Sequence, residues 1–250
     1  MRRFAATVAY DGTDYFGSQL QPLKRSVQGE LEKAAGDLFG VPTRVALAGR
    51  TDRGVHARGQ IAAFSAETRL DAETVGRALN ARLSEDVAVR SVRDVPAGFD
   101  PRRNAVRRRY RYTIRESGAG DPLTRRTCWQ VPPPHDIEPM RQAAGGLVGT
   151  RDFAACAGAL ETGRTSVRSV FRAVWTAEGP CLLFDIEGNA FLPQMVRRLV
   201  GALERVGRGN QSVEEFLHML EDGRPATLGP LAPPQGLSLE RVWYDEGYAP

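Results

Sequence analysis

Two apolar periods alternate along this chain, and their order restricts its fold more than any other feature. A strand-like run spans Phe4 to Tyr10. From Ser26 onward, Val27, Leu31, Ala34, Ala35 and Leu38 share one face of a helix that stops at Gly40-Val41-Pro42. Two β-rich runs, 43–48 and 60–65, flank a loop over 49–59 marked by glycines. Asp71 then caps a second amphipathic helix with Val75, Leu79 and Leu83 in register, and 87–92 reads as a closing strand. The order is β-α-β-β-α-β, the split βαβ or ferredoxin-like arrangement.

The second half repeats that order with different residues. It predicts a strand over 105–115, a helix over 136–147 capped by Asp136, and strands over 167–178 and 181–187. A helix through Met195, Val196, Leu199, Val200 and Leu203 follows, and a strand over 237–244 ends the pattern. Ser212-Val213-Glu214-Glu215 matches a capping box and opens an additional helix over 212–222. Pro96, Gly98 and Pro101 punctuate the join without a long linker. The expectation is an α/β (α+β) chain of two tandem ferredoxin-like halves, 1–100 and 101–250. Their sheets should be mainly antiparallel, with a central basic cleft between them.

The chain has 250 residues, 42% of them apolar and 26% charged, with a formal charge of +4, which excludes disorder, collagen and coiled coil. No apolar run approaches the roughly 18 residues a membrane helix needs, and the stretch after Arg2-Arg3 is too short for a signal-peptide core. A cytoplasmic protein is expected. Cys128, Cys156 and Cys181 are too widely spaced for a CxxC site or a disulfide framework. His56, His135 and His218 are equally scattered, so no metal is implied.

Charge placement says more than the sum. Residues 1–126 hold 23 basic and 15 acidic side chains, against 11 and 15 in 127–250. Only Lys24 and Lys33 are lysines, so the positive charge is nearly all arginine, whose planar fork suits phosphate and stacks on bases. The densest run is Ala105-Val106-Arg107-Arg108-Arg109-Tyr110-Arg111-Tyr112-Thr113-Ile114-Arg115. Period-two alternation puts Val106, Tyr110, Tyr112 and Ile114 on one face and Arg107, Arg109, Arg111 and Arg115 on the other. No acid lies between Asp100 and Glu116, so the row is uncompensated in sequence and should attract a polyanion. A charged edge strand protected from aggregation would show a similar, weaker pattern.

Two further stretches could carry chemistry. In Gly49-Arg50-Thr51-Asp52-Arg53-Gly54-Val55-His56, flanking arginines favour an ionised Asp52, which could act as nucleophile or base; an Asp-x-Gly turn residue is the plainer alternative. Asn189-Ala190-Phe191-Leu192-Pro193-Gln194-Met195-Val196-Arg197 sets Arg197 beside core residues, where an arginine usually finds a carboxylate. Asp52 is one candidate, and a surface arginine the other reading. Phosphate-binding loops, G-x-G-x-x-G, zinc-deaminase patterns and a G-x-S-x-G elbow are all missing.

At Gly49-Arg50-Thr51-Asp52-x-Gly54-Val55-His56-Ala57 the sequence resembles the tRNA pseudouridine synthase A family, whose loop reads G-R-T-D-x-G-V-H-A. The likeness continues through Tyr10-Asp11-Gly12-Thr13, Ser26-Val27-Gln28, Gln60 with Phe64, Asn80-Ala81, Arg109-Tyr110-Arg111-Tyr112 and Asp152-Phe153. It extends to Asn189-Ala190-Phe191 with Met195-Val196-Arg197, and to Ala232-Pro233 with Gly236-Leu237. The resemblance implies a cofactor-independent isomerase, a homodimer of two-lobed subunits, that turns uridine into pseudouridine at positions 38, 39 and 40 of the tRNA anticodon arm. It places the catalytic aspartate on Asp52, the active-site tyrosine on Tyr110 and the aspartate's arginine partner on Arg197. Arg50, Arg53, His56, Arg107, Arg109 and Arg111 are the candidate RNA-binding residues. Ser18 departs from the family's usual aromatic residue in its G-W-Q stretch, and Arg53 from the usual alanine.

Two other functions remain on the residues alone. A non-catalytic RNA-binding module would explain the arginines but has no need of Asp52. A two-carboxylate hydrolase requires a second acid beside Asp52, where the loop offers only arginines and His56.

Overall fold

In the computed structural model, which describes residues 1–158, 163 and 165–245, four of the five helices begin where the sequence supplies a capping side chain. Ser26 Oγ accepts the Gly29 N–H at the start of α1 (Val27–Phe39), and Gly40 ends it at φ 72°. Asp71 caps α2 (Ala72–Asn80), Asp136 caps α3 (Ile137–Gly145), and Ser212 with Glu215 closes the capping box of α5 (Val213–Glu221). The exception is α4 (Met195–Gly207), which follows Gln194 at φ 63° with no side-chain cap bond.

The chain divides into two compact units, Met1–Arg108 with the segment from Ser238 onward, and Arg109–Leu237. In the first unit, β1 (Arg2–Tyr10) lies antiparallel to both β3 (His56–Ala66) and β4 (Val87–Val95), and the two-residue β2 (Ala46–Leu47) pairs with β3. The order β1-α1-β2-β3-α2-β4 is the expected βαββαβ. Phe4 and Phe64, opposite each other in register, stack at 5.6 Å. Val27, Leu31 and Ala34 of α1 and Val75 and Leu79 of α2 are buried, closing the core.

One further strand joins this unit. β10 (Leu237–Tyr244) runs parallel to β3, with Ser238 opposite His56 and Leu239 opposite Ala57. Chain order places that strand at the end of the second half, and a parallel partner distant in sequence leaves no local trace. The same pairing, with Tyr10 opposite Ala57, starts β3 at His56, so the loop expected over 49–59 spans only 48–55. Gly59 permits the approach of β10, because a Cβ there would lie 2.3 Å from the Glu240 carbonyl oxygen.

The second unit is built on β5 (Ala105–Glu116), β6 (Trp129–Val131), β7 (Gly149–Asp152), β8 (Val167–Glu178) and β9 (Cys181–Gly188), in the order β5-β9-β8-β7 with β6 parallel to β5. The division between the units falls inside β5, after Arg108. β8 and β9 form an antiparallel hairpin turned at Gly179, where φ is 56°. Trp175 stacks on Phe184 at 4.9 Å, and Tyr112, Ile114, Met140, Leu199 and Leu203 are fully buried around them. β6 and β7, of three and four residues, are too short to announce themselves by periodicity.

Candidate active site

The loop over 48–55 is held from below by the segment that follows β1. Tyr10 Oη lies 2.8 Å from Thr51 Oγ1, Thr51 N–H donates to Ser18 Oγ at 2.8 Å, and Ser18 N–H donates back to the Thr51 carbonyl at 3.1 Å. Gln60 grips the loop's beginning: Gly49 N–H donates to its Oε1 at 3.0 Å, and its Nε2 donates to Gly49 O at 2.8 Å. Burial pushes the Tyr10 hydroxyl up to about 12, against the hydrogen bonds with Thr51 and Gln60, so it stays a neutral phenol. Every polar group of Thr51 is thus engaged immediately before Asp52.

Backbone contacts complete the cradle. A Cβ on Gly12 would fall 2.0 Å from the Val55 carbonyl oxygen, and one on Gly17, itself at φ 93°, would fall 2.9 Å from the Thr51 carbonyl oxygen. His56 is buried, and its Nδ1 accepts the Gly12 N–H at 3.0 Å with Asp11 Oδ1 3.1 Å away. The Asp52 carbonyl accepts Val55 N–H at 3.1 Å with Gly54 at φ 78°, a β-turn that begins at the half-buried Asp52. Arg50 and Arg53 on either side are exposed.

Sequence reasoning missed Ser18 as part of this construction. It is fully buried, and two of its bonds tie it to Thr51 while its carbonyl accepts the Gln28 N–H at 3.0 Å, so the serine at a position usually aromatic in the resembled family acts here as a loop clamp.

The second unit contains Tyr110 and Arg197. Tyr110 is buried to 7% exposure and meets Phe191 edge to face, with centroids 5.2 Å apart. Phe191 comes from the Asn189-Ala190-Phe191 stretch, which links β9 to α4. Arg197 stands in the first turn of α4, where its Nε donates to the Ala232 carbonyl at 2.8 Å and the Ala232 N–H donates to the Arg197 carbonyl at 3.1 Å.

Tyr110, Tyr112 and Ile114 of the arginine strand are buried on one face as expected, but Val106, expected with them, is exposed, and Arg108 is the buried residue at that end of the face. The row is compensated, however, which the sequence concealed. Asp185 of β9 accepts from Arg109 Nε at 3.1 Å and from Arg111 Nε and Nη2 at 3.0 and 2.7 Å. Burial pushes the Asp185 carboxyl up, but Arg111 and Arg109 together outweigh it and hold it below the usual carboxylate range. Arg115 pairs with Asp121 at 3.3 Å. Arg108 donates to the backbone carbonyls of Ala48 and Arg102, a buried structural role. In the first unit, the exposed Arg107 and Arg241 both lie over the Trp243 ring, at 5.6 and 5.1 Å.

Among the described residues no cluster of three or more His, Cys, Asp or Glu side chains could hold a metal ion, and no helix is long and apolar enough to cross a membrane.

Known proteins resemble the chain along nearly its whole length. The profile of the family described as tRNA pseudouridine synthase matches residues 6–102 and 143–245. A tRNA pseudouridine synthase A from Geobacter sp. (strain M21) is 39% identical over 247 residues, covering 98% of this chain and 100% of the relative. The protein of that name from Myxococcus xanthus is 42% identical over 248 residues, covering 99% and 94%. The one from Roseiflexus castenholzii is 43% identical over 251 residues, covering 98% and 92%.

Proposed function

This chain belongs to the tRNA pseudouridine synthase family, an isomerase forming pseudouridine in tRNA, and we propose that Asp52 is the carboxylate on which that reaction depends. The isomerisation breaks the N1–C1′ bond of uridine, turns the base and joins C5 to C1′. The C5 proton is lost and N1 gains one, so no atom is added to the RNA overall. Asp52 carries the step at which the glycosidic bond breaks, and Tyr110 receives the C5 proton. Arg197 orients the Asp52 carboxylate. The observation that supports this reading most is the immobilised Thr51, which presents the following carboxylate from a fixed turn instead of a mobile loop.

The target uridines are those at positions 38, 39 and 40 of the anticodon arm. The base must leave the stack, at a cost of a few kcal/mol that arginine–phosphate contacts offset. Arg50, Arg53 and Arg107, which are exposed, support phosphate contacts of this kind, while Arg109 and Arg111 contribute through the half-neutralised cluster with Asp185. His56 contributes by holding Gly12 against the loop. The working protein is a cytoplasmic homodimer that uses no metal or cofactor.

The decisive experiment combines Asp52→Asn with release of tritium from C5-labelled uridine in tRNA, without added metal or cofactor. Release should vanish while tRNA affinity stays within about tenfold, or roughly 1.4 kcal/mol. Near-normal release by Asp52→Asn would reduce the carboxylate to a turn residue. Mapping pseudouridine in a treated transcript checks the three positions, and sedimentation of the protein alone checks the dimer.

A further inference from the structure

Phe16 carries two cations on one ring. Arg53 Cζ and Lys24 Nζ each lie 4.4 Å from its centroid. Arg53 directly follows Asp52, and Lys24 comes from the loop between β1 and α1, so the ring joins the two segments that build the candidate site.

Backbone geometry fixes this group beside the carboxylate. Phe16 N–H donates to the Arg25 carbonyl at 3.0 Å, and Gln21 Nε2 donates to the Phe16 carbonyl at 2.8 Å. The next residue, Gly17, passes so close that a Cβ there would lie 3.5 Å from Arg53 N. Leu23, at φ 58°, forms the fully exposed tip of the same loop.

Two cations meet here beside the one carboxylate of Asp52. Several other surface arginines of the unit find acids: Arg2 pairs with Asp94, Arg25 with Asp86 and Glu30, Arg44 with Glu32 and Arg77 with Glu73. Neither the Arg53 nor the Lys24 side chain forms an ion pair or hydrogen bond among the described residues. Two like charges gathered on one ring repel each other, and the ring face repays only part of that cost. A phosphate within reach of both would lower that cost, since the guanidinium and the ammonium over the ring still offer N–H donors to an anion.

We propose that Phe16, Lys24 and Arg53 form a seat for one backbone phosphate of the substrate RNA, next to the uridine on which Asp52 acts. The seat rests on the functional reading above, which already gives Arg53 a phosphate contact, and adds to it Phe16 and Lys24; Arg53 stands where the resembled family usually has alanine. Phe16 and Lys24 complete it from a segment with no part in the chemistry.

The test is tRNA binding as a function of salt for the full chain, with Arg53→Gln, Lys24→Gln, the double variant and Phe16→Leu. Each single charge removal should weaken binding about 3- to 10-fold, and the double variant should lose about 0.7–0.9 from the slope of log K against log salt. Because both cations serve one phosphate, the two single losses should not multiply. Phe16→Leu, which keeps apolar volume but removes the ring face, should weaken binding while thermal unfolding shows a folded protein. Lys33→Gln, which removes an exposed cation on α1 paired with Asp37, serves as the control and should leave the slope unchanged. A hairpin of anticodon-arm length should show the same losses as whole tRNA. Unchanged affinity and slope would overturn the seat, as would losses confined to whole tRNA or losses that multiply. Tritium release by the unmodified protein, run alongside, separates the two readings: its absence removes the functional reading, whereas normal release with an unchanged slope removes only the seat.

Discussion

Ser18 and Thr51 are bonded to each other twice, Thr51 N–H donating to Ser18 Oγ at 2.8 Å and Ser18 N–H to the Thr51 carbonyl at 3.1 Å. Only the first bond needs the serine side chain. Ser18→Ala should therefore keep the backbone bond and leave a buried Thr51 N–H without its acceptor, a loss of about 1–3 kcal/mol in a chemical unfolding experiment. If the clamp positions Asp52, turnover should fall at temperatures where the variant is fully folded. Ser18→Trp should be worse, since the site is completely enclosed. A Ser18→Ala protein with unchanged stability and turnover would show that the loop does not depend on this bond.

Arg197 and Ala232 also bond reciprocally, and in the proposed function the side chain has a second task. With Nε given to the Ala232 carbonyl at 2.8 Å, the guanidinium plane is fixed by backbone 35 residues away. Lysine retains the charge but has one nitrogen where arginine has three, so it cannot both hold Ala232 and present a planar fork. Arg197→Lys is expected to lose activity about a hundredfold or more through misplacement of its partner, while circular dichroism shows the native fold. Full activity would remove Arg197 from the proposed orienting role.

The pairing of Asp185 with Arg109 and Arg111 yields a prediction whose two halves have opposite signs. Replacing a buried carboxylate that serves two guanidinium groups leaves them facing each other, so Asp185→Asn should lower stability by about 3 kcal/mol or more. It also frees positive charge, so the slope of log K against log salt for RNA should steepen. Arg107→Gln removes an exposed cation and should instead flatten that slope by about 0.7–0.9. Equal slopes for both variants would mean that neither group senses the RNA.

The residues that were legible in the sequence are those whose signal is local. Ser26, Asp71, Asp136 and Ser212 stood just ahead of apolar periods and cap the helices, and the alternation along β5 separated buried tyrosines from arginines. What stayed hidden depends on partners far along the chain. Asp185 lies 74 positions beyond Arg111, so a row that looked uncompensated is half neutralised. β10 pairs with β3 across some 180 residues of sequence. Ser18 read as a departure from a motif, because a serine's use as an acceptor appears only once the segment it faces is in place.

His135 offers a test of the second unit through pH. Its side chain is fully enclosed, with Nδ1 2.8 Å from Glu116 Oε1 of β5 and Nε2 3.3 Å from Glu204 Oε1 of α4, and Arg208 also bonds Glu204. Both ring nitrogens face carboxylate oxygens, an arrangement that suits the imidazolium, which donates from each. The hydrogen bond to Glu204 raises the His135 pKa, burial opposes it, and Glu116 adds to the rise. Burial pushes Glu204 up, but His135 and Arg208 outweigh it and hold it down. A group whose pKa is higher in the folded state stabilises that state fully below its unfolded value, about 6.5. That stabilisation is lost as pH rises through the folded value. The melting temperature of this protein should therefore decline from about pH 6.5 upward until His135 is neutral. His135→Gln should be less stable at pH 6, by about 1–3 kcal/mol from bonds to charged groups, and should show a flatter profile over the same window. If the variant kept the full decline, other groups would be responsible, and the triad would be a packing arrangement without a charge.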